Sequence, residues 1–363
     1  MKHLEYADKI CKAAMREGFD WAEITVRNSE ELCVRVANSS VCRENVLRDN
    51  QTISITACLE GRRGSIKLPG SMHDRVADKL GVLHKQLSAQ PVDKEFVMPH
   101  SEPGTSHHDL TSGDFLETYG PETLYPALEQ ALSTVRNTGM RSTGYIEAKQ
   151  GETAIITSNG TQLTVRDHGI SSGFTVDHPD TLGASGSSQE SGVCMNRNLV
   201  AELVSRTVEE ACHTADLNKT TNSVEAGDYT VVLHPRAVAD IMRTMLMYRM
   251  FDRRRIDENQ TYLSSAKDTL RFPAGLTLAQ SAELKVPEID YREVNVNGNL
   301  KTCDDLHLLR NGKIQDLHTS AYWAQKTSGL ETYGPYASPP VTMSATSEDG
   351  FAGGIHQDLD ALI

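Results

Sequence analysis

The stretch YIEAKQGETAIITSNGTQLTVR, residues 145–166, decides the architecture. Two runs rich in strand-forming residues, Tyr145–Thr157 and Thr161–Arg166, flank Ser158-Asn159-Gly160. Asn and Gly tolerate positive φ, so this insertion specifies a hairpin, and a hairpin means antiparallel pairing. Helical spacing frames it on both sides. A helix is expected near Pro121–Arg136, and along Asn196–Ala215 the residues Leu199, Val200, Leu203, Val204, Val208 and Ala211 form the apolar stripe of a helix that packs on a sheet. Between the hairpin and that second helix, residues 182–193 are rich in Gly and Ser and read as a mobile surface loop.

Outward toward the N-terminus, Leu4, Ala7, Ile10, Cys11, Ala14 and Met15 recur at helical spacing and stop at Gly18. Trp21–Val26, Glu31–Val36 and Gln51–Leu59 cluster strand formers, and Glu60-Gly61-Arg62-Arg63-Gly64 supplies a turn ahead of Ser65–Leu68. A helical pattern over Met72–Gln86 completes an α/β unit, after which residues 90–113, rich in Pro, Ser, His and Asp, read as a linker. Toward the C-terminus, Asp228–Leu233 is a short apolar strand, and Pro235 opens a helix with the stripe Val238, Ile241, Met242, Met245 and Leu246.

A chain of 363 residues has room for two domains with cores of their own. Its 38% hydrophobic and 23% charged residues describe a folded globular protein. The 49 acidic residues outnumber the 36 basic ones, and a net charge of −13 repels a phosphate backbone, which disfavours direct nucleic-acid binding. Seven cysteines without a Cys-x-x-Cys pair fit a reducing compartment better than a disulfide framework. With no apolar signal core at the N-terminus and no uncharged run of membrane length, the cytoplasm is the expected location.

Several patterns invite a chemical reading. His107 and His108, with Asp109 and Asp114, resemble a ligand cluster, but a structural metal needs four converging groups and this run sits in the polar linker, so a solvated loop is expected. His213, His234, His307, His318 and His356 are scattered. Gly169-Ile170-Ser171-Ser172-Gly173, beside Asp167 and His168, matches the nucleophile-elbow spacing, yet Phe174-Thr175-Val176 continues as strand where an elbow requires a helix. Gly183–Ser188 lacks the Lys of a phosphate-binding loop. The hexapeptide Leu-Glu-Thr-Tyr-Gly-Pro occurs at residues 116–121 and again at 330–335, each copy expected as a Gly-Pro turn with an exposed Tyr and Glu.

In order along the chain, Ala22-Glu23-Ile24 after a helix, Glu60-Gly61-Arg62-Arg63-Gly64-Ser65, Ser158-Asn159-Gly160, Ala226-Gly227-Asp228-Tyr229-Thr230-Val231-Val232-Leu233 and Ser320-Ala321-Tyr322-Trp323-Ala324 resemble the TldD/PmbA family, whose members process peptides. The resemblance spans roughly residues 5–335 and implies an α+β fold. Residues 1–90 would form an N-terminal α/β domain, 91–113 a linker, 114–225 a central α/β region, and 226–363 a C-terminal domain rich in antiparallel sheet. It also implies a dimer around a cleft that takes an extended peptide. In the TldD branch a His-Glu-x-x-x-His motif on the helix after the Val-Val-Leu strand holds zinc, which activates water for hydrolysis. Here Arg243, Thr244 and Tyr248 stand at the two histidines and the glutamate: Arg243 at the first histidine, Thr244 at the glutamate, Tyr248 at the second histidine. Arg has no lone pair for zinc, Tyr is a poor ligand near its usual pKa of about 10, and Thr is no general base.

The chain therefore looks like the TldE/PmbA branch. No metal is expected on it, and zinc is expected on a TldD-like partner subunit, a homodimer being the other arrangement. The tail from Ser338 differs from the family's usual β-rich ending, so a reduced C-terminal sheet is expected. Two other roles fit the resemblance: a metal-free reaction in the same cleft on a peptide or amino-acid-derived substrate, and binding to a protein target without turnover, as in the gyrase modulation attributed to the family.

Overall fold

The computed structural model describes residues 2–96, 98, 104–109, 115–181, 183–192, 197–220, 223–234, 237–238, 241, 249–266, 272, 276–280, 306–315, 317, 323, 326, 341–346 and 352–353. They group into two compact units, residues 1–57, 64–86 and 104–227 forming the first and 58–63, 87–103 and 228–363 the second.

In the first unit, α1 (Lys2–Arg16) buries Ala7, Ile10, Cys11 and Ala14, the stripe its spacing predicts, and gives way at Gly18, whose φ of +97° ends the helix. Three long strands follow from two tight turns. β1 (Trp21–Ala37) joins β2 (Ser40–Leu59) through Asn38 and Ser39, and β2 joins β3 (Arg62–Pro69) through Glu60 and Gly61. All four turn residues have positive φ, the condition for a two-residue hairpin loop whose twist matches the strands. A 3-10 turn over Gly70–Arg75 leads into α2 (Val76–Ala89), placing the α-helix a few residues later than the Met72–Gln86 spacing suggests.

The quoted hairpin is β5 (Arg141–Thr157) and β6 (Thr161–Asp177), with Gly160 at φ +93° and its N–H donating to the Thr157 carbonyl at 3.0 Å. β5 pairs antiparallel with β6 on one edge and with β1 on the other, from Glu23 opposite Thr157 to Val36 opposite Gly144 without a slip. β1 is one continuous strand where the composition suggested two segments. β4 (Gly104–Asp109) pairs parallel with β6, and β7 (Ser185–Gly192) pairs antiparallel with it, giving the order β3-β2-β1-β5-β6-β4 with β7 also on β6.

Three helices cover this sheet: α3 (Phe115–Tyr119), α4 (Pro121–Asn137) and α5 (Arg197–Leu217). α4 inserts Leu124, Leu128, Leu132 and Val135, and α5 inserts Val200, Leu203, Val204, Val208 and Ala211, against Leu32, Val34 and Val36 of β1, Ile146 and Ala148 of β5, and Ile170, Phe174 and Val176 of β6. Those strand residues alternate, so one sheet face is apolar. Leu199, expected in the stripe, is instead 39% exposed. Two buried hydroxyls on this face find partners: that of Thr207 donates to the Leu203 carbonyl at 2.7 Å, and that of Ser172 lies 2.7 Å from the Thr207 oxygen.

The second unit holds the order β10-β9-β8-β11-β12, with β8 (Leu276–Gln280), β9 (Leu306–Arg310), β10 (Lys313–Ile314), β11 (Val341–Thr346) and β12 (Ala352–Gly353). The short helices α6 (Arg253–Asp257) and α7 (Leu263–Ala266) contribute Ile256 and Leu263 to a core with Phe251, Leu278, Leu308 and Leu309. No helix among the described residues is long and apolar enough to cross a membrane.

Helices and antiparallel sheet together make the fold α+β, as expected. Four readings change. The stretch 91–113 is not simply a linker, because Gly104–Asp109 is a strand of the main sheet. That sheet also joins residues 1–90 to 114–225, which the sequence set apart as an N-terminal domain and a central region. Ser185–Gly192 is a strand and not a loop. The first Leu-Glu-Thr-Tyr-Gly-Pro copy is no exposed turn: Tyr119 is buried, and Gly120 caps α4 with Pro121 in its first turn; the second copy lies outside the described residues. The tail beyond Ser338, where a reduced sheet is expected, holds the short strands β11 and β12.

Candidate functional site

The positions singled out for chemistry, Arg243, Thr244 and Tyr248, lie outside the described residues, so the site is built from its flanks. Upstream, Asp228–His234 forms neither strand nor helix and is exposed throughout, against the expected strand. The Val238 N–H donates to the His234 carbonyl at 3.1 Å, a single turn of the kind that begins the expected helix.

Downstream the chain is anchored. Phe251 is buried, its ring centroid 6.3 Å from that of Phe272, and Asp252 caps α6 by accepting from the Arg254 N–H at 2.9 Å. α6 is basic: Arg253 pairs with Asp257 at 3.1 Å and Arg254 with Glu258 at 3.2 Å. Arg249 and Arg255 form no ion pair among the described residues. Guanidinium groups recognise carboxylates and carbonyls through several donors at once. This cationic flank was missed in the sequence, where the run Arg253-Arg254-Arg255 in an acidic chain was its signal.

The other candidates are dispersed. His107 is exposed on β4, and Asp109 pairs with Arg166 at 3.1 Å; the side chains of His108 and Asp114 are not described. No group of three His, Cys, Asp or Glu among the described residues converges on a metal position. Ser171 sits within β6, opposite Glu147 on one side and Ser191 on the other, so no elbow exists. Strand alternation also turns Ser171 and His168 to opposite faces. A groove of about 420 Å³ on α4 and α5 is lined by Gln130, Ala201, Glu202, Ser205, Arg206 and Glu209. Its one guanidinium is already engaged, Arg206 donating to Glu190 at 2.9 and 2.8 Å.

His168 is the unusual buried group. Neither ring nitrogen has a hydrogen-bond partner, and its ring meets Tyr119 edge-on at 5.2 Å. Burial lowers its pKa, opposed more weakly by the carboxylates of Asp109 and Asp167. A neutral, packed imidazole of this kind is a core component.

No family model matches the chain. No curated protein matches it either. Solved structures do. TldE from Thermococcus kodakarensis superposes with a TM-score of 0.69 at 15% identity, over 94% of this chain and 76% of that one. A proposed modulator of DNA gyrase from Bacteroides thetaiotaomicron gives a TM-score of 0.75 at 14% identity, over 93% and 76%. A second proposed gyrase modulator, from Thermotoga maritima, gives 0.68 at 13%, over 93% and 77%. The chain thus has the fold of TldE and of these gyrase-modulator structures, the fold that its resemblance to TldD/PmbA proteins implies.

Proposed function

We propose that this chain is a TldE/PmbA-like subunit, without a zinc site of its own, of a TldD/TldE-type peptide-processing metalloprotease that matures or degrades unstructured peptides. The observation that carries the reading is the likeness to TldE over 94% of the chain. The residue types at 243, 244 and 248 support it, since none can take over the role of a zinc ligand or general base. When bound on a TldD-like partner, zinc supplies the activated water. This chain's part is to hold substrate. An extended peptide is held by backbone hydrogen bonds added to a strand, a mode that makes few demands on sequence, and Arg249 and Arg255 offer donors to its carbonyls and carboxylates.

The test is to purify the chain alone and together with a TldD-like partner, then measure zinc content and cleavage of an unstructured peptide. The expected result is neither zinc nor cleavage alone and both in a co-purifying complex. Stoichiometric zinc or cleavage by the lone chain sinks the reading. The two neighbours described as gyrase modulators favour one second reading, a protein-binding role; binding to gyrase with no cleavage in any combination is its signature.

A further inference from the structure

Strand register sorts one face of the first sheet into rows, because residues directly opposite each other share a face. Leu32, Ala148 and Ile170 lie side by side across β1, β5 and β6, and toward the other end of the strands Val26, Ala154 and Thr164 do the same. Two polar rows run between them. One is Glu30, Gln150 and His168; the other is Asn28, Glu152 and Arg166, extended by Asp109 of β4. The second row is open to solvent and satisfies itself, Arg166 pairing with Asp109 at 3.1 Å and lying 3.9 Å from Glu152. His168, at the border between this belt and the apolar core, is sealed: it is 6% exposed, and neither ring nitrogen has a hydrogen-bond partner.

The lid on the imidazole is α3. Tyr119 meets it edge-on at 5.2 Å, and Phe115 packs on Tyr119 with centroids 5.3 Å apart. A helix of five residues has no stability of its own and stays in place through the burial of those two rings. The sheet beneath is the stiffer side, since β5 and β6 pair without a slip from Arg141 opposite Asp177 to Ile156 opposite Gln162. Along β6, β4 ends opposite Arg166 and β7 starts opposite Ile170, so His168 falls in the interval between the two edge strands.

A proton on the sealed ring makes a cation without an acceptor, which is costly. The carboxylates of Asp109 and Asp167 favour the proton, and burial outweighs them. Arg166 opposes it and already holds Asp109. Glu30 shares the row of His168 but stands two strands away, and Glu190 of β7, two rows along, is held by Arg206 of α5. The one acid in the sequence of α3 is Glu117.

We infer that His168 is an acid-sensitive latch whose protonation releases α3 from the sheet. With α3 lifted, the imidazolium gains water and the carboxylates of the belt, and it takes up its proton near the ordinary value of about 6.5. Above that pH the closed form is unaffected. Below it the opening equilibrium grows by up to about tenfold per pH unit, until the lowered value of the closed form is passed. The latch lies within the first unit and stands independently of the accessory-subunit reading.

Hydrogen exchange of the full chain, read by mass spectrometry and corrected for the intrinsic rate at each pH, tests the latch. The amides of α3 are expected to exchange through an opening of their own, with less protection than the β1–β5 ladder, and that protection falls about tenfold from about pH 7.5 to about pH 5.5. His168→Leu and His168→Gln, neither of which titrates, each hold it constant over the same range. Protection of α3 that ignores pH, a fall of the same size in both variants, or α3 amides that share the protection of the β1–β5 ladder at every pH overturns the proposal.

Discussion

His168 sits in the first unit with both ring nitrogens unpartnered and its proton affinity lowered by burial. Its effect on stability has a defined sign. The unfolded chain takes up a proton near the ordinary imidazole value of about 6.5, where the folded chain does not. Stability is therefore unaffected above that pH, falls as pH drops below it, and stops falling once the lowered folded value is passed. His168→Leu removes the titration and keeps an apolar side chain against Tyr119. Between about pH 7.5 and about pH 5, which brackets the imidazole range, the melting temperature is expected to fall more steeply for the native chain than for the variant. Parallel curves would show that His168 does not titrate on unfolding. At the candidate site, what Arg243, Thr244 and Tyr248 offer is set by what each side chain is able to donate or accept.

At the scale of elements, β7 packs tightly on α5. A Cβ built at Gly186 meets the Ala211 carbonyl oxygen at 2.3 Å and the Ala215 nitrogen at 2.4 Å, so the strand rests directly on the helix backbone. Gly186→Ala forces the two apart, and because the obstructing atoms are backbone, the expected cost is about 1–3 kcal/mol, at the upper end. For a unit of this size that lowers Tm by roughly 2–4 °C per kcal/mol. An unchanged Tm would mean that α5 shifts freely over β7. This packing also explains what the sequence concealed. The β5–β6 hairpin was legible because alternation and Asn159-Gly160 lie within one window. β4 and β7, Gly-Thr-Ser-His-His-Asp and Ser-Gly-Ser-Ser-Gln-Glu-Ser-Gly, contain no apolar residue at all. Each is a strand only because β6 offers it an edge, and that is a tertiary fact. The same argument applies in reverse to Asp228–Leu233, whose composition announces a strand while no neighbour among the described residues accepts it. The site was legible as a set of departures from a motif; the basic flank at Arg249 and Arg255 showed only as the charge run Arg253-Arg254-Arg255, which has no period to assign it to a helix.

For the whole molecule, a net charge of −13 opposes contact with nucleic acid. No gel-shift of duplex DNA is expected at about 100 mM salt, where the Debye length of about 10 Å still lets the repulsion act. Saturable binding there would require a basic surface large enough to outweigh that charge. The sheet of the first unit has one more consequence, and it concerns the order of events during synthesis. β1 ends at Ala37, and the strand that flanks it through Glu23 opposite Thr157 is completed only at Thr157, roughly 120 residues later. At about 5–20 residues per second, a ribosome leaves that edge of the nascent chain open for roughly 6–24 s. Over that interval the N-terminal hairpins are finished but the central strand is not, and a strand edge without its neighbour is a template for the wrong one. Any protection of that edge therefore belongs to the first half of the chain's own translation.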